Sequence, residues 1–140
     1  MLYLSSIMDV YNGEIVSYKI DNKQDQSLVN DTLNQVDIPK DCILHSDQGS
    51  VYTSYAYYQL CKEKGIIRSM SRKGTPADNT PIESFHSSLK CETFYINNEL
   101  NSSNQIVIVI VENYIKNDNN NRIQQKLGYL SPRKYRELAA

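Results

Sequence analysis

The chain opens with two short segments in which apolar and polar positions alternate, Leu2 to Val10 (LYLSSIMDV) and Glu14 to Ile20 (EIVSYKI). Both are rich in Ile, Val and Tyr, and period-two patterning with such residues predicts strands. Asn12-Gly13 between them is a hairpin signal, because both residue types tolerate the positive φ that tight turns need. The period then lengthens. Leu28, Val29, Thr32, Leu33 and Val36 recur at spacings of three and four, which predicts an amphipathic helix over 24–36, with Pro39 closing the connection. Cys42-Ile43-Leu44 predicts a short buried strand that runs into the polar turn His45-Ser46-Asp47-Gln48-Gly49. A second helix is expected over 54–64, stopped by Gly65, and a further strand over 66–70. Ser71 to Thr80 (SRKGTPADNT) is turn-rich, and Thr80-Pro81 supplies a cap and a first helical residue for a helix reaching about Tyr95. After a linker at 97–103, a helix is expected over 104–116, apolar from Ile106 to Val111. Asn117 to Asn121 is expected to break it, and Ser131-Pro132 to open a last short helix. The order β-β-α-β-α-β-α-α predicts an α/β domain with a mixed sheet.

At 140 residues the chain has room for one domain with a real core. No stretch approaches the roughly 18 apolar residues of a membrane span, and the start lacks the pattern of a cleaved leader. A cytoplasmic protein with no membrane partner is expected. The three cysteines, Cys42, Cys61 and Cys91, form no CxxC pair, so reduced and mostly buried thiols are expected. The net charge of −1 does not announce a nucleic-acid binder, but its distribution is uneven. Residues 1–50 carry eight acids against three bases, and residues 51–140 carry twelve bases against eight acids. A local basic patch can hold phosphates on a chain that is neutral overall.

Asp47 sits where a strand ends in a turn, and Glu83 in the first turn of a helix, which are the places where α/β folds build sites. Two carboxylates brought together repel, so such an arrangement calls for a cation. Hard oxygen ligands suit Mg2+, and paired ions can activate an attacking oxygen and stabilise a leaving one in phosphoryl transfer. The residues themselves leave a plainer alternative open. Asp47 can close a turn through its side chain, and Thr80-Pro81-Ile82-Glu83 matches a capping box.

Three runs carry a resemblance. They are His45-Ser46-Asp47-Gln48-Gly49, Ser69-Met70-Ser71-Arg72-Lys73-Gly74, and Asp78-Asn79-Thr80-Pro81-Ile82-Glu83-Ser84-Phe85. Together with Asn120-Asn121-Arg122, Lys126-Leu127-Gly128 and Leu130-Ser131-Pro132, they resemble the DDE transposases of bacterial insertion sequences, relatives of retroviral integrases. Thirty-five residues separate Asp47 from Glu83, the spacing of that family's second and third carboxylates. The resemblance implies a ribonuclease-H-like mixed sheet flanked by helices. It implies a partial integrase core over 1–100 and a helical extension of the same domain over 101–140. As catalytic and metal-binding residues it implies Asp47 and Glu83, with Mg2+ or Mn2+ as cofactor. It implies Lys90 as a contact to DNA.

The family's first catalytic Asp lies on a strand that carries a Thr-Asp-x-Thr-like segment, and no such segment occurs in this sequence. The chain is therefore expected to be N-terminally truncated, to lack the first central strand, and to hold metal weakly. Asp9, on the strand before the Asn-Gly turn, is a poor substitute. Arg72, Lys73, Lys90 and Arg122 are candidate phosphate contacts, with Arg68, Lys126, Arg133 and Lys134 less pointed ones. Tyr52 can stack on a base or sugar, or pack against the following helix. The function expected is divalent-metal-dependent DNA cleavage and strand transfer on transposon ends and target DNA, with self-association or a full-length transposase as partner. The alternative is a non-catalytic remnant that binds DNA or such a transposase. A nuclease on the same fold is a third reading, made less fitting by the Ser71–Phe85 motif.

Overall fold

The computed structural model describes residues 2–71, 79–95 and 103–139. Strands β1 (Tyr3–Asp9) and β2 (Glu14–Asp21) pair through the expected turn, which is wider than two residues. Gly13 N–H donates to the Asp9 carbonyl at 2.7 Å, and Tyr11 N–H donates to Asp9 Oδ1 at 2.9 Å. Strands β3 (Ile43–Ser46) and β4 (Ile67–Met70) pair in parallel, Ile43 opposite Ile67 and Ser46 opposite Met70. Among the described residues the two pairs share no rung.

The helices are α1 (Gln26–Asn34), α2 (Ser50–Thr53), α3 (Tyr55–Glu63), α4 (Thr80–Leu89), α5 (Asn104–Asn120) and α6 (Pro132–Ala139). The chain gathers into two compact units, each with its own buried residues. One holds residues 2–6 and 17–80. Its core includes Leu28 and Leu33 of α1, Tyr57 and Cys61 of α3, and Ile66. Asp25 caps α1 by accepting from Leu28 N–H, and Ser54 caps α3 by accepting from Tyr57 N–H, each bond 3.2 Å. Such caps contribute about 1 kcal/mol each. Ser54 is extended at ψ 154°, so the predicted 54–64 helix starts there as α3, and the one-turn α2 before it is an element the sequence reading did not assign. After α3 the chain reverses at Gly65, whose φ of +71° strains any residue with a Cβ.

The other unit holds residues 7–16 and 81–140, with Ile15, Phe85, Leu89, Val111, Ile115 and Leu127 buried. Here the sequence reading needs two corrections. Helix α4 ends at Leu89 and continues as a wider π-helical turn, Lys90–Tyr95. Helix α5 does not break at Asn117 but runs to Asn120. Asn has a poor helix propensity, but tertiary contacts override it. The Asn119 amide accepts from Ile15 N–H at 2.8 Å and donates to the Ile15 carbonyl at 2.9 Å. Asp118 is buried and paired with Arg122 at 3.3 Å. No described helix is long and apolar enough to cross a membrane.

Candidate functional site

Asp47 follows the last residue of β3, as predicted, and its side chain is exposed. Its Oδ1 accepts from Gly49 N–H at 2.7 Å, folding the carboxylate back over the turn. That approach needs a glycine. A Cβ at Gly49 would lie 2.9 Å from Asp47 Oδ1. Gln48 reaches across to Ser71, donating from Nε2 to its carbonyl at 3.0 Å. On β3, His45 Nδ1 meets Ser69 Oγ at 2.9 Å, and the imidazole is exposed. Tyr52 is half-buried against Tyr57, with ring centroids 5.5 Å apart and planes at 78°. Burial, and next the negative charge of Asp47, raise the Tyr52 hydroxyl above its ordinary pKa. Of the two readings of Tyr52, packing is the one its ring contacts fit. Arg68 serves the same cluster, donating to the Tyr52 carbonyl at 3.2 Å and lying 4.9 Å from the Tyr58 ring centroid.

Glu83 belongs to the other unit, exposed in the first turn of α4. Lys90 is exposed at the start of the π-helical turn. Burial, and next the charge of Lys90, lower the pKa of His86 one turn earlier, which favours its neutral form. The wider turn after Leu89 belongs to a feature the sequence reading missed. Glu92 accepts from the Tyr114 hydroxyl and pairs with Arg122, whose guanidinium lies 5.7 Å from the Tyr114 ring centroid. The bond from Tyr114 foremost, and the Arg122 pair, hold the Glu92 carboxyl below its ordinary range. Burial pushes Asp118 up, and Arg122 opposes that shift. Arg122 is thus engaged by two carboxylates of its own unit. The π-helical turn could have been suspected only from its position next to a functional segment, where such turns are frequent.

Arg72 and Lys73 lie outside the described residues. Asp9 accepts from Tyr11 N–H at the hairpin turn, which is a structural role. Of the cysteines, only Cys61 is buried. Cys42 and Cys91 are exposed, against expectation, and all three are free thiols. Neither Asp47 nor Glu83 is paired with a described Lys or Arg, so both present exposed carboxylate oxygens of the kind Mg2+ takes. Among the described residues, no three His, Cys, Asp or Glu side chains are gathered to hold a metal ion. The donor type fits a hard divalent cation, while a complete ligand set is not present among those residues.

Two descriptions of the integrase core domain match the chain, one over residues 1–76 and the other over 83–139. The chain is 37% identical to an Escherichia coli (strain K12) protein that carries the provisional name transposase InsK for insertion sequence element IS150. That match covers 96% of this chain and 48% of the relative. It is 34% identical to the transposase for insertion sequence element IS904 of Lactococcus lactis subsp. lactis (strain IL1403), covering 96% of this chain and 54% of the relative. The chain thus spans about half the length of these relatives. The crystal structure of the catalytic core domain of BIV integrase has the same fold, with a TM-score of 0.71 at 18% identity over 99% of this chain and 86% of that one. The expected ribonuclease-H-like α/β fold is borne out, and the chain belongs to the integrase core domain family.

Proposed function

We propose that this chain provides the metal-binding and DNA-binding core for DNA strand cleavage and strand transfer at transposon ends. The observation that supports the reading is the pair of family matches, over residues 1–76 and 83–139, ranges that include Asp47 and Glu83, together with the exposure of both carboxylates. In the reaction a DNA 3′ hydroxyl oxygen attacks a target phosphorus, the bond from that phosphorus to a target 3′ oxygen breaks, and the proton of the attacking hydroxyl is released. Asp47 and Glu83 would hold Mg2+ or Mn2+, which when bound lowers the cost of activating the attacking oxygen and of expelling the leaving one. Gly49 N–H fixes one oxygen of Asp47 and leaves the other to bind. Lys90, with Arg72 and Lys73, contacts phosphates of the DNA backbone and fixes its register without reading sequence. Arg122 and Tyr52 serve packing.

Two carboxylates are assigned, one fewer than the family's three, and among the described residues no group of three His, Cys, Asp or Glu side chains is gathered. That favours a second reading for the isolated chain, in which it binds DNA or a full-length transposase without completing the chemistry. Oligonucleotides carrying transposon ends, incubated with the chain and Mn2+, separate the two. Strand-transfer product that disappears in Glu83→Gln establishes the enzyme. DNA binding without product, together with inhibition of a full-length transposase on mixing, establishes the second reading. No DNA binding by the chain at low salt would sink both.

A further inference from the structure

The ladder between β3 and β4 ends with a substitution. Ile67 N–H donates to the Cys42 carbonyl at 2.9 Å, and Ser71 N–H donates to the Ser46 carbonyl at 2.8 Å. In this parallel register, with Ser46 opposite Met70, the next rung would run from the Gln48 main-chain N–H to the Ser71 carbonyl. Gln48 Nε2 occupies that carbonyl instead, at 3.0 Å. Ser71 is buried, so its carbonyl needs a donor. By supplying one from its side chain, Gln48 releases its own backbone from the strand. The main chain then turns at once, and Asp47 Oδ1 takes Gly49 N–H at 2.7 Å.

We propose that Gln48 is a positioning residue for the Asp47 carboxylate, its side-chain amide standing in for the last rung of the sheet so that the turn can present Asp47. The proposal rests on the reading of Asp47 as a metal ligand. The residue type is specific. Glu at this position has the length but no donor, Met has the length but no polar group, and Asn is one methylene short.

Two measurements test it, Mn2+ affinity and hydrogen exchange at the Gly49 amide without metal, on Gln48→Met, Gln48→Glu, Asp47→Asn and Asn119→Asp. Loss of a partner that orients a ligand weakens metal binding by about 10- to 100-fold, so Gln48→Met and Gln48→Glu are expected to lose about tenfold in Mn2+ affinity. In both, the Gly49 amide should exchange several-fold faster. Asn119→Asp, which weakens the other unit, should leave both readouts unchanged and so separates positioning from general destabilisation. Unchanged Gly49 exchange in Gln48→Met overturns the proposal whether or not the chain binds Mn2+. Unchanged Mn2+ affinity in Gln48→Met, with affinity lost in Asp47→Asn, also overturns it and leaves the metal reading standing. Unchanged affinity in Asp47→Asn overturns the metal reading itself, and the exchange result then still decides what Gln48 does to the turn.

Discussion

Removing the Asn119 amide should cost this protein more than an ordinary surface-helix polar substitution. Ile15 is 4% exposed, and its N–H and carbonyl are taken by Asn119 at 2.8 and 2.9 Å, as a neighbouring strand would take them. Asn119→Ala leaves both main-chain groups without their partner. Each satisfied bond is worth about 1 kcal/mol net, and each partly buried group left unpaired costs about 1–3 kcal/mol before water reaches it. An allowance for partial hydration gives a loss of about 2–4 kcal/mol, a large share of the roughly 5–15 kcal/mol typical of a whole domain. Asn119→Asp keeps the acceptor for Ile15 N–H but sets a carboxylate against the Ile15 carbonyl, so it should lose at least as much. At about 3–5 °C per kcal/mol for a chain of this size, Tm falls by roughly 6–20 °C. Urea denaturation reads the loss as a lower midpoint at unchanged slope, and hydrogen exchange should localise it to the Ile15 amide. If both variants unfold within about 0.5 kcal/mol of wild type, or the Ile15 amide keeps its protection, the side-chain rung does not hold β2 and the argument fails.

Four further outcomes follow from the same geometry. Gly49→Ala, at an ordinary φ of −57°, should fold, but its Cβ would displace Asp47 Oδ1 from 2.9 Å, at a cost of about 1 kcal/mol in melting experiments and a measurable loss of Mn2+ affinity. Arg122→Ala should destabilise by about 1–3 kcal/mol in urea titrations, discounted for the partial exposure of Arg122, because it leaves Asp118 buried without its ion partner; Asp118→Phe, which removes that need, should be neutral or stabilising. His86 and Glu92 both have folded pKa values below their ordinary 6.5 and 4.5. Their stability is therefore present above those values and lost as the pH falls through the folded ones, so Tm should drop below pH 6.5 and again below pH 4.5. Asp118, raised by burial, works against the second drop, and Lys90→Gln should soften the first. Finally, Lys90→Gln should weaken DNA binding and reduce the slope of log affinity against log salt by about 0.9, the value of one phosphate contact on duplex DNA; an unchanged slope removes Lys90 from the interface.

The strands were legible because their signal is local. Alternation of Ile, Val and Tyr with polar residues places β1 and β2 within a residue or two of their observed ends. What was not legible depends on distant partners. Asn117 to Asn121 read as a break from propensity alone, yet the sequence cannot show that Asn119 will find Ile15 across 104 positions. The exposure of Cys42 was equally hidden. Its neighbour Ile43 is 66% exposed and its strand partner Ile67 49%, so an apolar strand that looked buried has one open face among the described residues.

The candidate site was legible in a different way. Nothing in the periodicity distinguishes Asp47 from an ordinary turn aspartate, and the structure shows that it does close a turn on Gly49 N–H. The structural and functional readings, which competed in the sequence, are here compatible. A carboxylate has two oxygens, and one bond to a main-chain N–H fixes the rotamer while leaving the second oxygen exposed, which is the preorganisation a metal ligand needs. The same reasoning separates Asp47 from the other buried or paired acids. Glu92 is taken by Tyr114 and Arg122, Asp118 by Arg122, and Glu14 by Arg136 at 2.9 Å, so their oxygens are committed inside the protein. Asp47 differs from these in being held by one main-chain N–H with its side chain exposed, a pattern that Asp9 shares through Tyr11 N–H.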